Sequence, residues 1–367
     1  MRALSSHAKP TLEEWLTALN EMSQITTLHL AHATPAVSVD SPLISEPQRT
    51  VTLPSLTHFN IDASANDCAL ALAHLVLPAL ISLRMTSLSH SQDGNDVRLL
   101  VPYVARNAHG PQDAAPLQTI LFNGEATGAD VVAWTAPDAD VEVCNGIALC
   151  KAAASARLVF TVITDSEWRD GTDTVIFDAM LSHLPLNTIS TLSAQNNTRL
   201  SKEVWLSHVP RMTTLKRALL VPTAVRAFRE MLEDPPANGL PRLPQLTKLI
   251  LSKVVLTALR TYHLRDMLIK WKEHGAPLEF LDLRTCFGPK RAIQLLSETV
   301  GNVQRPPRTL KATLAPCYDL ERTVDEDERT DDDEYDDGPG FWDGPIRFED
   351  NDDDDDDDDD DSDFDDE

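Results

Sequence analysis

Cysteine is scarce in this chain of 367 residues. Cys68, Cys144, Cys150, Cys286 and Cys317 make an odd number, with no C-x-x-C spacing among them. That argues against a disulfide framework and a cysteine-based zinc site. Long apolar runs are also absent. The longest, Ala69 to Leu83, contains His74 and Pro78 and falls short of the roughly 20 residues a membrane span needs. The start, Met1-Arg2-Ala3-Leu4-Ser5-Ser6-His7, has no apolar segment of signal-peptide type. The chain therefore reads as intracellular (cytoplasmic or nuclear), reduced and without membrane contact, and the Asn196-Asn197-Thr198 sequon as coincidence. Catalytic motifs are missing too. There is no G-x-S-x-G elbow, and Gly124 and Gly128 lack the Gly-Lys-Ser/Thr ending of a phosphate loop. His29 and His32 have no Cys or carboxylate at metal-site spacing. Asp138-x-Asp140-x-Glu142 opens like a calcium loop, but its sixth position is Val143 and its twelfth Leu149, so the ligand geometry fails. The expectation is a protein with no catalytic residues, metal or cofactor.

Positive charge is nearly absent from one end. Residues 321–367 carry 28 acidic side chains against 3 Arg, whereas residues 1–320 carry 30 acidic and 29 basic ones. The net charge of −26 is thus almost all in the tail. Its self-repulsion predicts a disordered segment over 321–367. Asp352 to Asp361 is an unbroken acidic run, preceded by Tyr335, Phe341, Trp342 and Phe348. Such a run suits basic protein partners such as histones, is screened over about 8 Å at physiological salt, and argues against direct nucleic-acid binding.

What the chain does have is a recurring apolar ladder, L-x-x-L-x-L. It reads Ile25/Leu28/Leu30, Leu56/Phe59/Ile61, Leu80/Leu83/Met85, Leu117/Ile120/Phe122, Ile189/Leu192/Ala194, Leu246/Leu249/Leu251 and Leu278/Leu281/Leu283. The last copy continues to Cys286, a consensus packing position. Met212/Leu215 is a weaker member, and Leu158 to Ile163 a degenerate one, giving about nine ladders with a mean step of about 32 residues. That spacing is a leucine-rich-repeat signature, with room for a full helix in each unit. Thr11 and Glu14 form a capping box ahead of an apolar stripe at Leu12, Trp15, Leu16, Leu19 and Met22. Further stripes lie at Ile176, Phe177, Met180 and Leu181, at Val225, Phe228 and Leu232, and at Leu264, Met267, Leu268 and Trp271, the last stopped by Gly275. Another, Ile293, Leu296 and Val300, follows Pro289. The prediction is an α/β solenoid over residues 1–320, a ribonuclease-inhibitor-like horseshoe. Each strand would lie parallel to the next on the concave side, with helices outside.

The phrases Leu53-Pro54-Ser55-Leu56-Thr57-His58-Phe59, Leu184-Pro185-Leu186-Asn187-Thr188-Ile189 and Leu243-Pro244-Gln245-Leu246-Thr247-Lys248-Leu249 resemble strand starts of one family. It is the leucine-rich-repeat region of the F-box-like proteins abundant in mushroom-forming fungi, and the resemblance spans residues 11–320. It implies a substrate-recognition role in a cullin-type ubiquitin ligase, to which an F-box would attach the chain. No L-P-x-E-I-L-x-x-I-F phrase occurs in the first fifty residues. The expectation is therefore either a fragment lacking its F-box or a repeat-only relative. Activators of the nuclear transport GTPase also join such repeats to an acidic tail. They carry Asn after the ladder, where this chain has Ala33, Ser64, Leu88, Glu125 and Cys286. Acidic leucine-rich nuclear proteins offer a third likeness, with smaller repeats and longer tails.

A horseshoe of this kind holds protein ligands on its concave strand face. The ladder's polar positions place His29, His58, Asn60, Arg84 and Thr119 there, with Ser193, Lys216, Lys248 and Asp282 further along. Thr57, Ser190 and Glu279 belong to the same strip. By the same logic Leu281 is a buried tooth and Asp282 is not. Leu281→Ala is expected to cost about 2–5 kcal/mol, and Leu281→Asp to unfold the C-terminal strands, whereas Asp282→Ala is expected to be nearly silent. Melts followed by circular dichroism check each.

Overall fold

A computed structural model describes residues 10–35, 47, 49–111, 113–125, 127–137, 153–164, 171–196, 198–233, 242–275 and 278–305. The chain divides into two units, Met1–Arg308 and Thr309–Glu367. The second unit and the acidic run lie outside the described residues, as do Cys144, Cys150, Cys317 and the Asp138–Glu142 stretch.

Among the described residues the strands are β1 (Thr27–Ala31), β2 (Val51–Thr52), β3 (His58–Ser64), β4 (Leu75–Val76), β5 (Ser82–Ser89), β6 (Thr119–Glu125) and β7 (Gly128–Trp134). Then follow β8 (Leu158–Thr164), β9 (Thr191–Asn196), β10 (Arg217–Leu220), β11 (Lys248–Leu251), β12 (Phe280–Asp282) and β13 (Val303–Gln304). The α-helices are α1 (Leu12–Glu21), α2 (Ala65–His74), α3 (Asn95–Ala108), α4 (Thr172–His183), α5 (Lys202–His208), α6 (Pro222–Glu233), α7 (Ala258–Glu273) and α8 (Lys290–Thr299). β2 and β4 form a small parallel pair, and the other strands make one eleven-stranded sheet.

Local chemistry accounts for these elements. The Thr11 hydroxyl accepts from the Glu14 amide, and the Glu14 carboxylate accepts from the Thr11 amide, which starts α1. Gly275, at φ 83°, ends α7 in the left-handed conformation. Strands follow period-two burial. In β3 Phe59, Ile61 and Ala63 are buried, while His58, Asn60 and Asp62 are not. Six strands are preceded by one tight turn, in which an apolar residue's carbonyl accepts from the amide three residues on. Leu56 to Leu53, Leu80 to Leu77, Ile189 to Leu186, Leu215 to Met212 and Leu246 to Leu243 do so at 3.2–3.3 Å, and Ile25 to Met22 at 3.1 Å.

The same side of the main strands packs on the helices. Teeth such as Leu30, Phe59, Met85, Phe160, Leu192, Leu249 and Leu281 share one core cluster with residues from every described α-helix. Phe122 meets Phe177 at 4.8 Å between ring centroids, and Trp205 meets Phe228 at 5.2 Å. Each buried tooth contributes about 1.5–3 kcal/mol. Cys286 is buried, as its consensus position predicts.

Two expectations are corrected. The weak ladder starts three residues later, as Leu215/Ala218/Leu220, because Met212 is the turn residue. The small Ala218 hides the pattern. Strand order also departs from a simple progression. It runs β1-β3-β5-β8-β7-β6-β9-β10-β11-β12-β13. β6, β7 and β8 form an antiparallel meander, set into an otherwise parallel sheet with β8 against β5 and β6 against β9. β6 and β7 are nearly continuously buried, as strands covered on both faces must be. On the side away from the helices Leu121, Val132 and Trp134 form a second apolar cluster with Ala153 and Ala156.

β6 turns into β7 through a hairpin that pairs Glu125 with Gly128. A Cβ on Gly128 would stand 2.7 Å from the Val162 carbonyl oxygen, a backbone atom fixed in β8. Gly128→Ala is expected to destabilise the fold by about 1–3 kcal/mol. At Gly275 no atom lies within 4 Å of an added Cβ, so Gly275→Ala is expected to cost only the left-handed backbone penalty, about 1–2 kcal/mol. Urea midpoints of the two variants measure both losses.

Candidate protein-binding face

Parallel pairing in register turns the ladder into rows. One row crosses all eleven strands on the face away from the helices. It reads His29, Asn60, Arg84, Val159, Val132, Leu121, Ser193, Leu219, Ile250, Asp282 and Gln304. The row on one side brings Thr27 beside His58 and Ser82, then Trp134 beside Thr119, Thr191, Arg217, Lys248 and Phe280. The row on the other side carries Asp62, Thr86, Thr161, Asp130, Asn123 and Gln195.

The nine residues expected on this face divide by what they touch. His29 and His58 are exposed, and Asn60, Arg84 and Lys248 are half-buried. Thr119, Ser193 and Asp282 are on the face but buried, so their polar groups are already used or enclosed. The Thr119 hydroxyl lies 2.7 Å from the Ala136 carbonyl and 3.1 Å from that of Pro137. Thr191 donates to Pro137 as well, at 2.7 Å. Ser193 accepts from Gln195 at 3.1 Å. Arg84 is held by the Ala153 and Ala154 carbonyls, at 2.8 and 3.1 Å. Lys216 precedes β10 by one residue and is exposed; Arg217 and Leu219 take the strand positions. The three-residue ladder slip is the cause, and reading Leu215 as the first tooth would have found them.

Internal partners also satisfy the face's described polar centre. Asp130 accepts from Thr161 at 2.7 Å and from Asn123 at 3.0 Å, and Asn123 in turn accepts from Asn196. Asp282 receives both the Nε and Nη2 of Arg284, with its Oδ2 2.9 Å from Nη2. The buried Leu219 and Ile250 lie between this pair and the middle strands.

Reactive groups are scattered. Burial pushes the thiols of Cys68 and Cys286 up to about 12, so neither supplies a thiolate near neutral pH. Burial also raises the Asp173 carboxyl, at the start of α4, against the amide of Arg199, which lowers it. Among the described residues there is no group of three or more His, Cys, Asp or Glu arranged to hold a metal. On the helix side a shallow groove of about 410 Å³ is lined by Arg98, Tyr103, Asp178 and His183. Asp178 accepts from His208 Nε2 at 2.7 Å, which ties α4 to α5. No described helix is long and apolar enough to cross a membrane.

No protein-family model matches the chain, and no curated protein matches it.

The burial of Asp282 overturns the expectation that its truncation is silent. Asp282→Ala removes a two-pronged ion pair whose Arg284 partner is 39% exposed and can return to water. The expected loss is about 1–2 kcal/mol, the lower part of the range for charged hydrogen bonds. Denaturant unfolding of the D282A and R284A single variants and of the double variant isolates the pair.

Proposed function

We propose that the chain is a non-enzymatic protein-binding module whose helix-free strand face holds the ligand. In this reading the strand-and-helix units form a leucine-rich-repeat solenoid with that face on its inner curve. The observation that supports it most is the single row of side chains from His29 to Gln304, in register across the sheet. A long ordered surface with many modest polar contacts suits recognition of another folded chain or segment. The family resemblance extends the proposal to substrate recognition for a cullin-type ubiquitin ligase, joined through an F-box supplied elsewhere. The Asp352–Asp361 run supports a second contact, with basic proteins.

The test compares partner capture by the full chain with that by two variants. His58→Ala with Asn60→Ala strips the exposed end of the face, and Arg98→Ala alters the helix side. Loss of a reproducible partner by about tenfold, or 1.4 kcal/mol, in the first variant alone is the expected outcome. Cullin-ligase subunits among the captured proteins would favour the adaptor role. Equal capture by all three proteins would sink the assignment of the face.

A further inference from the structure

Charge on the helix-free face is unevenly settled. Arg84 is bound by two carbonyls, Asp130 by Thr161 and Asn123, and Asp282 by Arg284. Arg217 and Lys248 differ. They are partners in register on adjacent parallel strands, so their side chains leave the same face about 4.8 Å apart. Both are half-buried, and neither side chain has a hydrogen-bonded or ionic partner among the described residues. Lys248 is held in place by the Phe280 ring, with its Nζ 4.7 Å from the centroid. Exposed Lys216 adds a third positive charge one residue ahead of Arg217. Glu279 is the nearby acid in sequence register, one residue ahead of Phe280; it is exposed and joins no ion pair with them.

Two like charges side by side on a sheet repel, and partial burial strengthens the repulsion. Arg217 offers a planar fork that matches a carboxylate, and Lys248 a point charge beside it. The Phe280 ring next in the row gives an apolar contact. We propose that Arg217, Lys248 and Phe280 form a binding site for an acidic peptide segment of a partner protein, lying across β10 to β12. An extended peptide with carboxylates two positions apart presents them on one side about 6.6 Å from each other. Long Arg and Lys side chains span that distance. The site deepens the proposed function and rests on the same face, at the opposite end from His58 and Asn60.

The experiment measures anisotropy of a labelled Glu-Gly-Glu peptide with the full chain at low ionic strength. A Gln-Gly-Gln peptide and a labelled single-stranded oligonucleotide serve as comparisons. The Glu peptide is expected to bind about tenfold tighter than the Gln peptide, with the preference fading as salt rises. Arg217→Glu with Lys248→Glu is expected to abolish the preference, while Arg98→Glu on the helix side leaves it intact. Arg217→Gln with Lys248→Gln, a milder pair checked by its melting temperature, is expected to lose it too. Equal affinity for both peptides, a preference that survives the double change, or tighter binding of the oligonucleotide would each overturn the site. Partner capture that depends on His58 and Asn60, without a Glu preference, would leave the face reading standing and remove only the acidic-peptide site. A Glu preference without capture that depends on His58 and Asn60 would keep the site and confine binding on the face to β10–β12.

Discussion

The structure depends on one repeated hydrogen-bonding device at the foot of the strands. A single carbonyl accepts from two successive amides of the next strand. Thr26 receives Thr57 and His58, Thr57 receives Ile81 and Ser82, and Gln118 receives Ser190 and Thr191. Ser190 then receives Lys216 and Arg217, Lys216 receives Thr247 and Lys248, and Thr247 receives Glu279 and Phe280. All twelve bonds are 2.8–3.1 Å. The device sets register before the ladder begins. A slip of one residue would send every tooth to the wrong face, so the core and the helix-free rows are two results of one constraint.

That series is interrupted once, between Ile81 and Gln118, where the meander sits. There the pairing uses other bonds, with Leu83 donating to Arg157, Arg157 to Ala133, and Gln118 to Trp134. The reversed strand β7 fills the space between β8 and β6 and keeps the sheet continuous. Its cost is that the middle strands carry apolar residues on both sides. Leu121, Val132 and Trp134 must then be covered, and Ala153 and Ala156 do this. The same covering brings Ala136, Pro137, Ala153 and Ala154 to Thr119, Thr191 and Arg84. The fold thus closes part of its own helix-free face, and the uncovered polar side chains are left at the two ends.

Much of this was legible in the sequence because the signals are local. Each of the nine ladders corresponds to a strand, with one slip at Met212, and the capping box and Gly275 mark real helix ends. What was hidden lacks a local signal. β7 pairs small teeth, Ala129, Val131 and Ala133, with no turn motif ahead of it. α2 is rich in alanine, and it shares the longest apolar run, Ala69 to Leu83, with β4 and the start of β5. α3 contains Pro102, which reads as a break, and starts from Gly94 in place of a side-chain cap. The alternation of strand residues correctly put Thr119, Ser193 and Asp282 on the helix-free face. Thr119 bonds to Ala136 and Pro137 from outside the ladder, whereas Ser193 and Asp282 bond to Gln195 and Arg284 two residues on, and the ladder spacing predicts neither kind of partner.

The contrast between Asp282 and its neighbours shows how the face is divided. Asp282 carries its own counterion two residues away, so its charge is neutralised within one turn of chain. Arg217 and Lys248 each have a large apolar side chain two positions on in the strand, Leu219 and Ile250, and no such counterion. Exchanging either cation for threonine, the residue at the matching position of β9, would relieve the repulsion without disturbing a tooth. The chain binds Arg84, Asp130 and Asp282 from within, yet keeps Arg217 and Lys248 abreast with no hydrogen-bonded or ionic partner among the described residues. Two like charges abreast break a local rule of cross-strand pairing, and the proposed acidic segment is the partner that would resolve it.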